Sequence, residues 1–244
     1  MIDKKMNVIN HLDELRKRLI VTFMSFLLFF IIGFIFVKDI YQWFVQDLGL
    51  KLTVLGPSDI LWIYFMLSGV IAVVGTIPIF AMQMWLFVKP ALNPLERRAA
   101  LTYIPALFLL FIIGLYFGYY VIKPVVLSFL FDLNGEMVAT LFTADKYFRF
   151  ILHMTLPFAV LFELPVVIMF LTSLGIINPY VLHKIRKYAY FVLVVVSVTI
   201  SPPDFISDFL VTIPLLLLYE ISIFFSKIIV KKKIKREISD ESVR

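Results

Sequence analysis

Four apolar runs, each long enough to cross a membrane, constrain this chain more than any other feature. They occupy Leu19–Val37, Ile60–Val88, Ala99–Ile122 and Phe150–Gly175, and Glu163 is the only acid within them. About 20 apolar residues in a helix cross the ~30 Å hydrocarbon core of a bilayer. The chain is also 61% hydrophobic, well above the roughly 45–50% of soluble domains. We therefore predict an all-α integral membrane protein.

Two shorter apolar runs, Tyr188–Pro203 and Phe209–Ser226, follow the long ones and predict a closing hairpin. The helical stretch from Tyr188 to Ile200 rises only about 20 Å, so this hairpin is expected to sit shallow or to thin the bilayer. The sequence thus predicts one transmembrane domain, residues 1–227, and a basic cytoplasmic tail, residues 228–244. Its six crossings are expected at about 19–37, 66–88, 99–122, 150–175, 188–203 and 209–226.

Basic residues are distributed unequally between the two sides of the predicted bundle. The two termini and the loops 89–98 and 176–187 would share one side, and they hold 18 of the 23 lysines and arginines. Because basic loops stay in the cytoplasm, both termini are expected there. The net charge of +6 then follows from topology and from contact of the tail with anionic lipids. It requires no nucleic-acid partner.

Features inside and between the apolar runs predict how the helices bend and pack. Five prolines lie within the runs, and because each removes a backbone hydrogen bond, the bundle is expected to be concave. Gly114 and Gly118 have the spacing of a close helix contact, expected within the chain rather than between copies. Two apolar pieces of the outer loops, residues 40–50 and 124–133, predict interfacial helices. The prolines are Pro78, Pro105, Pro157, Pro165 and Pro214.

No recognised catalytic pattern is present. The chain has no cysteine, only three histidines, no Gly-x-Ser-x-Gly elbow, no His-Glu-x-x-His pair and no phosphate-binding loop. We therefore predict neither an enzyme nor a metal or cofactor site. The function is expected to rest on binding and transport.

The stretch HLDELRKRL, residues 11–19, brings five charged residues to the edge of the first crossing. Asn10 followed by Asp13 is typical of a helix that begins near His11. This helix is expected to continue unbroken into the membrane. Its apolar stripe would consist of Leu12, Leu15 and Leu19.

Glu14 has two candidate roles in this helix. It lies one turn from Arg18, so an internal ion pair worth roughly a few tenths of a kcal/mol is one interpretation. The other is that its carboxylate accepts hydrogen bonds from a cationic ligand. Glu96, in the loop FVKPALNPLERR on the same side, favours the ligand, because two carboxylates suit two guanidinium groups. Taken alone, Glu96 could instead neutralise Arg97 and Arg98.

Three further acids lie inside or beside the crossings. Glu163 stands near the middle of the fourth, in VLFELPVV, where an ionised carboxylate is costly unless it is solvated, paired or protonated. It predicts a polar cavity or partner contact, or else a structural hydrogen bond to a residue such as Gln83. Asp204 follows a Ser-Pro-Pro turn, where it most simply caps the next helix. Glu220 is expected near the cytoplasmic end of the last crossing as an interfacial group.

Four motifs in this order, HLDELRKRL, QMWLFVKPALNPLERR, FELPV and SPPDF, resemble the TatC family of twin-arginine translocase subunits. The similarity extends from His11 to about Lys227. The resemblance implies a receptor in the bacterial inner membrane that binds signal peptides carrying two consecutive arginines. It also implies export of folded proteins by the proton-motive force, single-span partners of the TatA and TatB type, and further copies of the chain in the receptor complex.

The resemblance implies a cytoplasmic signal-peptide-binding site and an acid inside the membrane. The binding residues would be Glu14, Glu96, Phe87, Arg16 and Arg18. The intramembrane acid would be Glu163, while Asp204, Leu12 and Leu15 would have partner or structural roles.

Two other classes of function remain open from the sequence. A proton-coupled secondary transporter would use Glu163 as its coupling acid, and a scaffold would only gather single-span partners. Many secondary transporters contain two repeated halves, and no internal repeat is detectable in this chain. The two cytoplasmic acids also lie outside the centre of the bundle. Both observations favour the receptor.

Overall fold

A computed structural model describes residues 2–46, 52–91, 94–134, 143–201 and 205–241, and within these ranges the regular structure is helical apart from one isolated β-bridge. A short 3-10 turn, Lys89–Ala91, follows the third helix, and a π-helical segment, Gly118–Ile122, joins the fourth to the fifth. The α-helices are α1 (Ile2–Ile35), α2 (Val37–Val45), α3 (Pro57–Val88), α4 (Pro94–Phe117), α5 (Lys123–Asn134), α6 (Ala144–Leu161), α7 (Leu164–Ser173), α8 (Pro179–Lys184), α9 (Arg186–Ile200) and α10 (Phe205–Glu241).

Five stretches of the described chain are long and apolar enough to cross a membrane. They match the four long runs and the last crossing that the sequence predicts. The helix at the predicted fifth crossing, α9, has 15 residues and rises about 22 Å. This length fits the expected short crossing. The five stretches are Leu12–Ile35, Pro57–Val88, Tyr103–Phe129, Ala144–Ser173 and Ser207–Lys231.

Helices at both ends of the chain extend beyond the predicted limits. The first begins at Ile2 rather than near His11, because the intervening residues contain neither glycine nor proline to stop it. The last continues to Glu241, through most of the predicted tail. The sixth crossing is therefore not short as a helix, although its apolar part is close to the prediction.

The two predicted interfacial helices have different outcomes. A separate helix, α2, follows a bend at Phe36 and covers most of the first piece. The second piece lies in α5, which continues directly from α4 through the π-helical segment. Pro124 is the second residue after that segment and does not end the helix. The second piece therefore continues the third crossing and is not a separate element.

Only one of the five intramembrane prolines lies at a break in a described helix. Pro165 occupies the first turn of α7, where proline fits because no hydrogen bond from its nitrogen is required. The turn before it, at Phe162 and Glu163, separates α6 from α7. The other four prolines lie inside α3, α4, α6 and α10, which run through them.

The described chain forms two compact units. The first, Met1–Asn93 with Glu136–Phe150, is built around an antiparallel pair of helices, α1 and α3. Near the end of α1, a Cβ added to Gly33 would lie 3.0 Å from Ser68 Cα. Seven positions further along α3 and four positions earlier on α1, a Cβ added to Gly75 would lie 2.5 Å from the ring of Phe29.

The end of the first unit opposite Glu14 is held by aromatic contacts and one backbone bridge. Phe148 packs against Tyr41 and Phe44, with ring centroids 5.3 and 5.8 Å apart. Thr53 and Thr143 form the isolated bridge, and the carbonyl of Thr53 accepts a hydrogen bond from the Ala144 amide at 2.9 Å. Two segments far apart in sequence are thereby joined.

The second unit, Pro94–Gly135 with Ile151–Arg244, contains the predicted glycine contact. Cβ atoms added to Gly114 and Gly118 would lie 2.7 Å from the Cα atoms of Ala159 and Thr155. The backbones of α4 and α6 therefore approach each other where only glycine fits. This confirms the expected contact within the chain.

Candidate functional site

The predicted pairing of Glu14 with Arg18 is present and extends to a second helix. Arg18 Nη2 donates to Glu14 Oε1 at 3.0 Å, and its Nη1 donates to Gln83 Oε1 on α3 at 3.2 Å. Both charged side chains are about two-thirds buried, with 30% of Arg18 and 32% of Glu14 exposed. The pair is therefore anchored to a neighbouring helix, unlike an ordinary surface ion pair.

Phe87 lies at the same end of the first unit as Glu14. Helices α1 and α3 are antiparallel, and Arg18 on α1 contacts Gln83 on α3. Glu14 lies one turn before Arg18, and Phe87 lies one turn after Gln83, so Glu14 and Phe87 are at the same level. Phe87 is half-buried. Just beside it, the Nζ atom of Lys89 lies 5.0 Å from the centroid of the buried Trp85 ring. An acid, an aromatic residue and several cations thus share this end of the unit.

The remaining predicted residues on α1 are more exposed. Arg16 pairs with Asp13 at 3.3 Å, and both side chains are more than half exposed. Leu12 is 60% exposed, whereas Leu15 is half-buried. The apolar stripe is therefore only partly covered within this chain, which leaves Leu12 available to lipid or to another subunit.

Two predicted site residues lack a described side chain. Glu96 belongs to the first turn of α4, which begins at Pro94, and its side chain lies outside what the structure describes. Asp204 lies outside the described residues. The roles assigned to both stay predictions.

Glu163 lies in the turn between α6 and α7, in the second unit. Both carboxylate oxygens are buried and have no hydrogen-bond partner among the described residues. The roles predicted for Glu163, a polar cavity or partner contact or else a structural hydrogen bond, stay predictions. Among the described residues, nothing uses the hydrogen-bonding capacity of this carboxyl group.

Comparison with protein families decides what kind of chain carries these features. The family described as Sec-independent protein translocase protein (TatC) matches residues 10–214. The chain belongs to the TatC family. Among its relatives, TatCd of Bacillus subtilis (strain 168) is 56% identical over 237 residues, covering 97% of this chain and 98% of that protein. TatCy of the same organism is 41% identical over 244 residues, covering 98% and 96%.

A solved TatC structure agrees with the fold. A crystal structure described as the twin-arginine translocase receptor TatC superposes with a TM-score of 0.78 at 33% identity, covering 90% of this chain and 99% of that one. The chain is therefore a multi-pass membrane protein with the TatC fold. The fold class and the family resemblance inferred from the four motifs are both confirmed.

One polar cluster of this TatC chain was not predicted as a unit. Glu220 on α10 accepts hydrogen bonds from Arg186 and from Tyr190 on α9, and it forms an ion pair with Arg186. The sequence places Arg186 and Tyr190 one turn apart on one helix, which is a readable signal. Their acid lies 30 or more positions away, so only the fold could identify it.

A second cluster joins the end of α9 to the start of α10. Ser197 contacts Thr212 at 2.6 Å, and Ser201 donates a hydrogen bond to the Asp208 carboxylate. On each helix the two polar residues are four apart, so a short hairpin brings them face to face. Together with the Glu220 cluster, this fixes the closing hairpin by polar contacts at both ends.

Proposed function

We propose that this chain is the signal-peptide receptor and core subunit of a twin-arginine translocase. It binds the consecutive arginines of a signal peptide on the cytoplasmic face and serves the export of folded proteins across the membrane by the proton-motive force. Single-span subunits of the TatA and TatB type and further copies of the chain are its proposed partners. Family membership and the description of the solved relative as a receptor support this proposal.

The observation that carries the proposal is the setting of Glu14. Its carboxylate lies level with Phe87 and already accepts a hydrogen bond from a guanidinium group, that of Arg18. The site thus suits the chemistry of an arginine side chain, and an aromatic residue at the same level is proposed to contact the apolar part of a peptide. We propose Glu96 as the acid for the second arginine, on the basis of the motif in which it stands.

The cytoplasmic location of this end is part of the proposal. It is supported by the charge distribution, since the segments that would share this side hold 18 of the 23 basic residues. The chain would then lie in a bacterial inner membrane with both termini in the cytoplasm.

The proposal predicts that Glu14→Ala and Glu96→Ala each weaken binding of a twin-arginine peptide by about tenfold. A hydrogen bond to a charged group contributes about 1.5 kcal/mol or more when it is partly shielded from water, and this corresponds to about a tenfold change in affinity. The measurement is fluorescence anisotropy of a labelled peptide with two consecutive arginines and an apolar segment, titrated with the purified protein. Salt is expected to weaken the unsubstituted interaction.

Asp13→Ala is the matched control for Glu14→Ala. It removes an acid from the neighbouring position of the same helix, but this acid is exposed and pairs with Arg16. Its effect on affinity is expected to be less than about twofold, in line with the small energies of exposed pairs. Unchanged affinity in both Glu14→Ala and Glu96→Ala would remove the basis of the receptor assignment.

For Glu163 we propose a polar contact with the translocating signal segment or with a single-span partner. This is supported by the two buried carboxylate oxygens, which have no hydrogen-bond partner among the described residues. Glu163→Leu is expected to reduce export of a twin-arginine reporter by about tenfold, because a hydrogen-bonded polar contact inside the membrane is lost. Glu163→Gln retains hydrogen bonding and should keep most of the export. Peptide affinity at Glu14 should not change in either variant, and equal export by the two variants would contradict the role.

A further inference from the structure

We propose that Arg18 is a built-in competitor for the Glu14 carboxylate, held in place by Gln83, so that a signal arginine binds only by displacing it. This inference rests on the proposed function, because it concerns the regulation of the same carboxylate. Arg18 then affects the ligand through Glu14, and not by the direct binding that the family resemblance implies.

The geometry shows that the Arg18 guanidinium is held at both of its ends. One terminal nitrogen donates to Glu14 Oε1 at 3.0 Å, and the other donates to Gln83 Oε1 at 3.2 Å. The Nε atom is buried and has no hydrogen-bond partner among the described residues. Arg18 is therefore not free to swing into solvent as a surface arginine does, since leaving Glu14 means rearranging a contact between α1 and α3.

The contact of Arg18 with Oε1 limits what Glu14 can offer a ligand. The strongest arginine–carboxylate contacts are bidentate and use both oxygens. While Arg18 is bound to Oε1, an incoming guanidinium must share that oxygen with it and also meets a positive charge beside it. When Arg18 leaves, the full carboxylate becomes available.

Neighbouring cations do not have this arrangement. Arg16 pairs with Asp13, and the two side chains are 69% and 54% exposed. Lys17 is exposed and forms no ion pair in the part of the chain that the structure describes. Of these three successive cations, Arg18 is the one that is both bound to Glu14 and anchored to α3.

Competition inside the receptor has a defined effect on affinity. If only a fraction of molecules has an open Glu14, the apparent Kd of every ligand rises by the inverse of that fraction. A ligand with a single arginine gains little, because it exchanges one guanidinium for another. A second arginine and an apolar segment add contacts that Arg18 cannot replace. The competitor therefore lowers the affinity for every ligand by the same factor, and only ligands with such further contacts still bind at a given concentration.

The test compares Arg18→Met with Lys17→Met in the full-length protein. Both variants remove one positive charge from the same segment, but only the first opens Glu14. Arg18→Met is expected to tighten binding of a twin-arginine peptide by about three- to fivefold, the range that corresponds to an ion pair near 1 kcal/mol. Lys17→Met should change the affinity by less than about twofold. A twin-lysine peptide should gain by the same factor as the twin-arginine peptide, because internal competition acts equally on all ligands.

Two further variants separate this inference from the proposed function. Arg18→Met in a Glu14→Ala background should give no gain over Glu14→Ala alone, because there is no longer a carboxylate to compete for. If Glu14→Ala weakens binding but Arg18→Met does not strengthen it, the proposed role of Arg18 is wrong and the proposed receptor function is unaffected. If Glu14→Ala leaves the affinity unchanged, the role of Glu14 in the proposed function is what fails.

Gln83→Leu provides a second approach if Arg18→Met does not yield folded protein. This change removes the anchor on α3 and leaves Arg18 in place, so Arg18 should leave Glu14 more readily. The expected result is a gain in affinity smaller than that of Arg18→Met but above that of Lys17→Met. A loss of affinity in folded Gln83→Leu protein would overturn the anchoring role.

Discussion

Gly114→Ala is expected to lower the free energy of unfolding by about 2–3 kcal/mol, at the upper end of the cost of overpacking a well-filled interior. A Cβ at this position would lie 2.7 Å from Ala159 Cα, 2.9 Å from the Phe158 carbonyl oxygen and 3.0 Å from Phe162 Cβ. Two of these atoms belong to the backbone of α6, so a side chain cannot simply rotate away and the helices must separate. Denaturant-induced unfolding of the purified protein in detergent measures the change.

Gly69→Ala is the matched control for this prediction. Gly69 also lies inside a membrane helix, α3, but a Cβ there would meet no atom within 4 Å beyond its chain neighbours and the backbone of its own helix. Since alanine favours the helix over glycine by up to about 1 kcal/mol, Gly69→Ala should be neutral or stabilising. The same propensity term applies to Gly114, so the difference between the variants isolates the close contact. Equal unfolding free energies for the two variants would show that the helices do not approach closely at Gly114.

Of the two contacts that Arg18 makes, with Glu14 and with Gln83, only the first can be predicted from the sequence. The Glu14–Arg18 pair can be predicted because residues four apart are neighbours on any α-helix. The contact of Arg18 with Gln83 joins positions 65 apart. Helical periodicity does not say which helix faces which, so this contact depends on how α1 and α3 pack. The ion-pair interpretation of Glu14 is confirmed, and the ligand site stays a prediction, which the proposed competition treats as a second state of the same carboxylate.

Helix limits differ from the predictions for a related reason. An apolar run marks the part of a helix that lies in the membrane, whereas the helix itself continues until a residue stops it. After Pro214, the last helix contains neither glycine nor proline, and its basic segment consists largely of lysine, isoleucine and arginine. Lysine and arginine favour helices strongly. The charged residues after position 226 set the end of the predicted crossing, but they do not end the helix.

The break at Glu163 could be anticipated only in part. Proline at position 165 predicts an interruption just before it, because it cannot donate a hydrogen bond to the preceding turn. Four other prolines carry the same information, yet the described helices run through them. Local sequence therefore gives candidate break points, and packing around each proline decides among them.

Glu220→Leu is expected to destabilise the second unit by about 2–3 kcal/mol, because it leaves two donors without their acceptor. Arg186 and Tyr190 both donate to this carboxylate, and the Nε atom of Arg186 is already buried without a partner among the described residues. The Arg186 and Glu220 side chains are about one-third exposed, which is why the expected cost is below that of a fully buried pair. Denaturant unfolding in detergent again provides the measurement.

The double variant Arg186→Met with Glu220→Leu should recover more than half of this loss, because it removes the uncompensated charge together with its partner. Asp145→Ala supplies the comparison with an exposed pair. It breaks the ion pair with Arg149, whose side chain is 54% exposed, and should cost less than about 1 kcal/mol. If the two substitutions in the double variant were additive, Arg186 and Glu220 would act independently. The polar cluster would then not be what fastens α9 to α10, and the hairpin would depend on its apolar contacts alone.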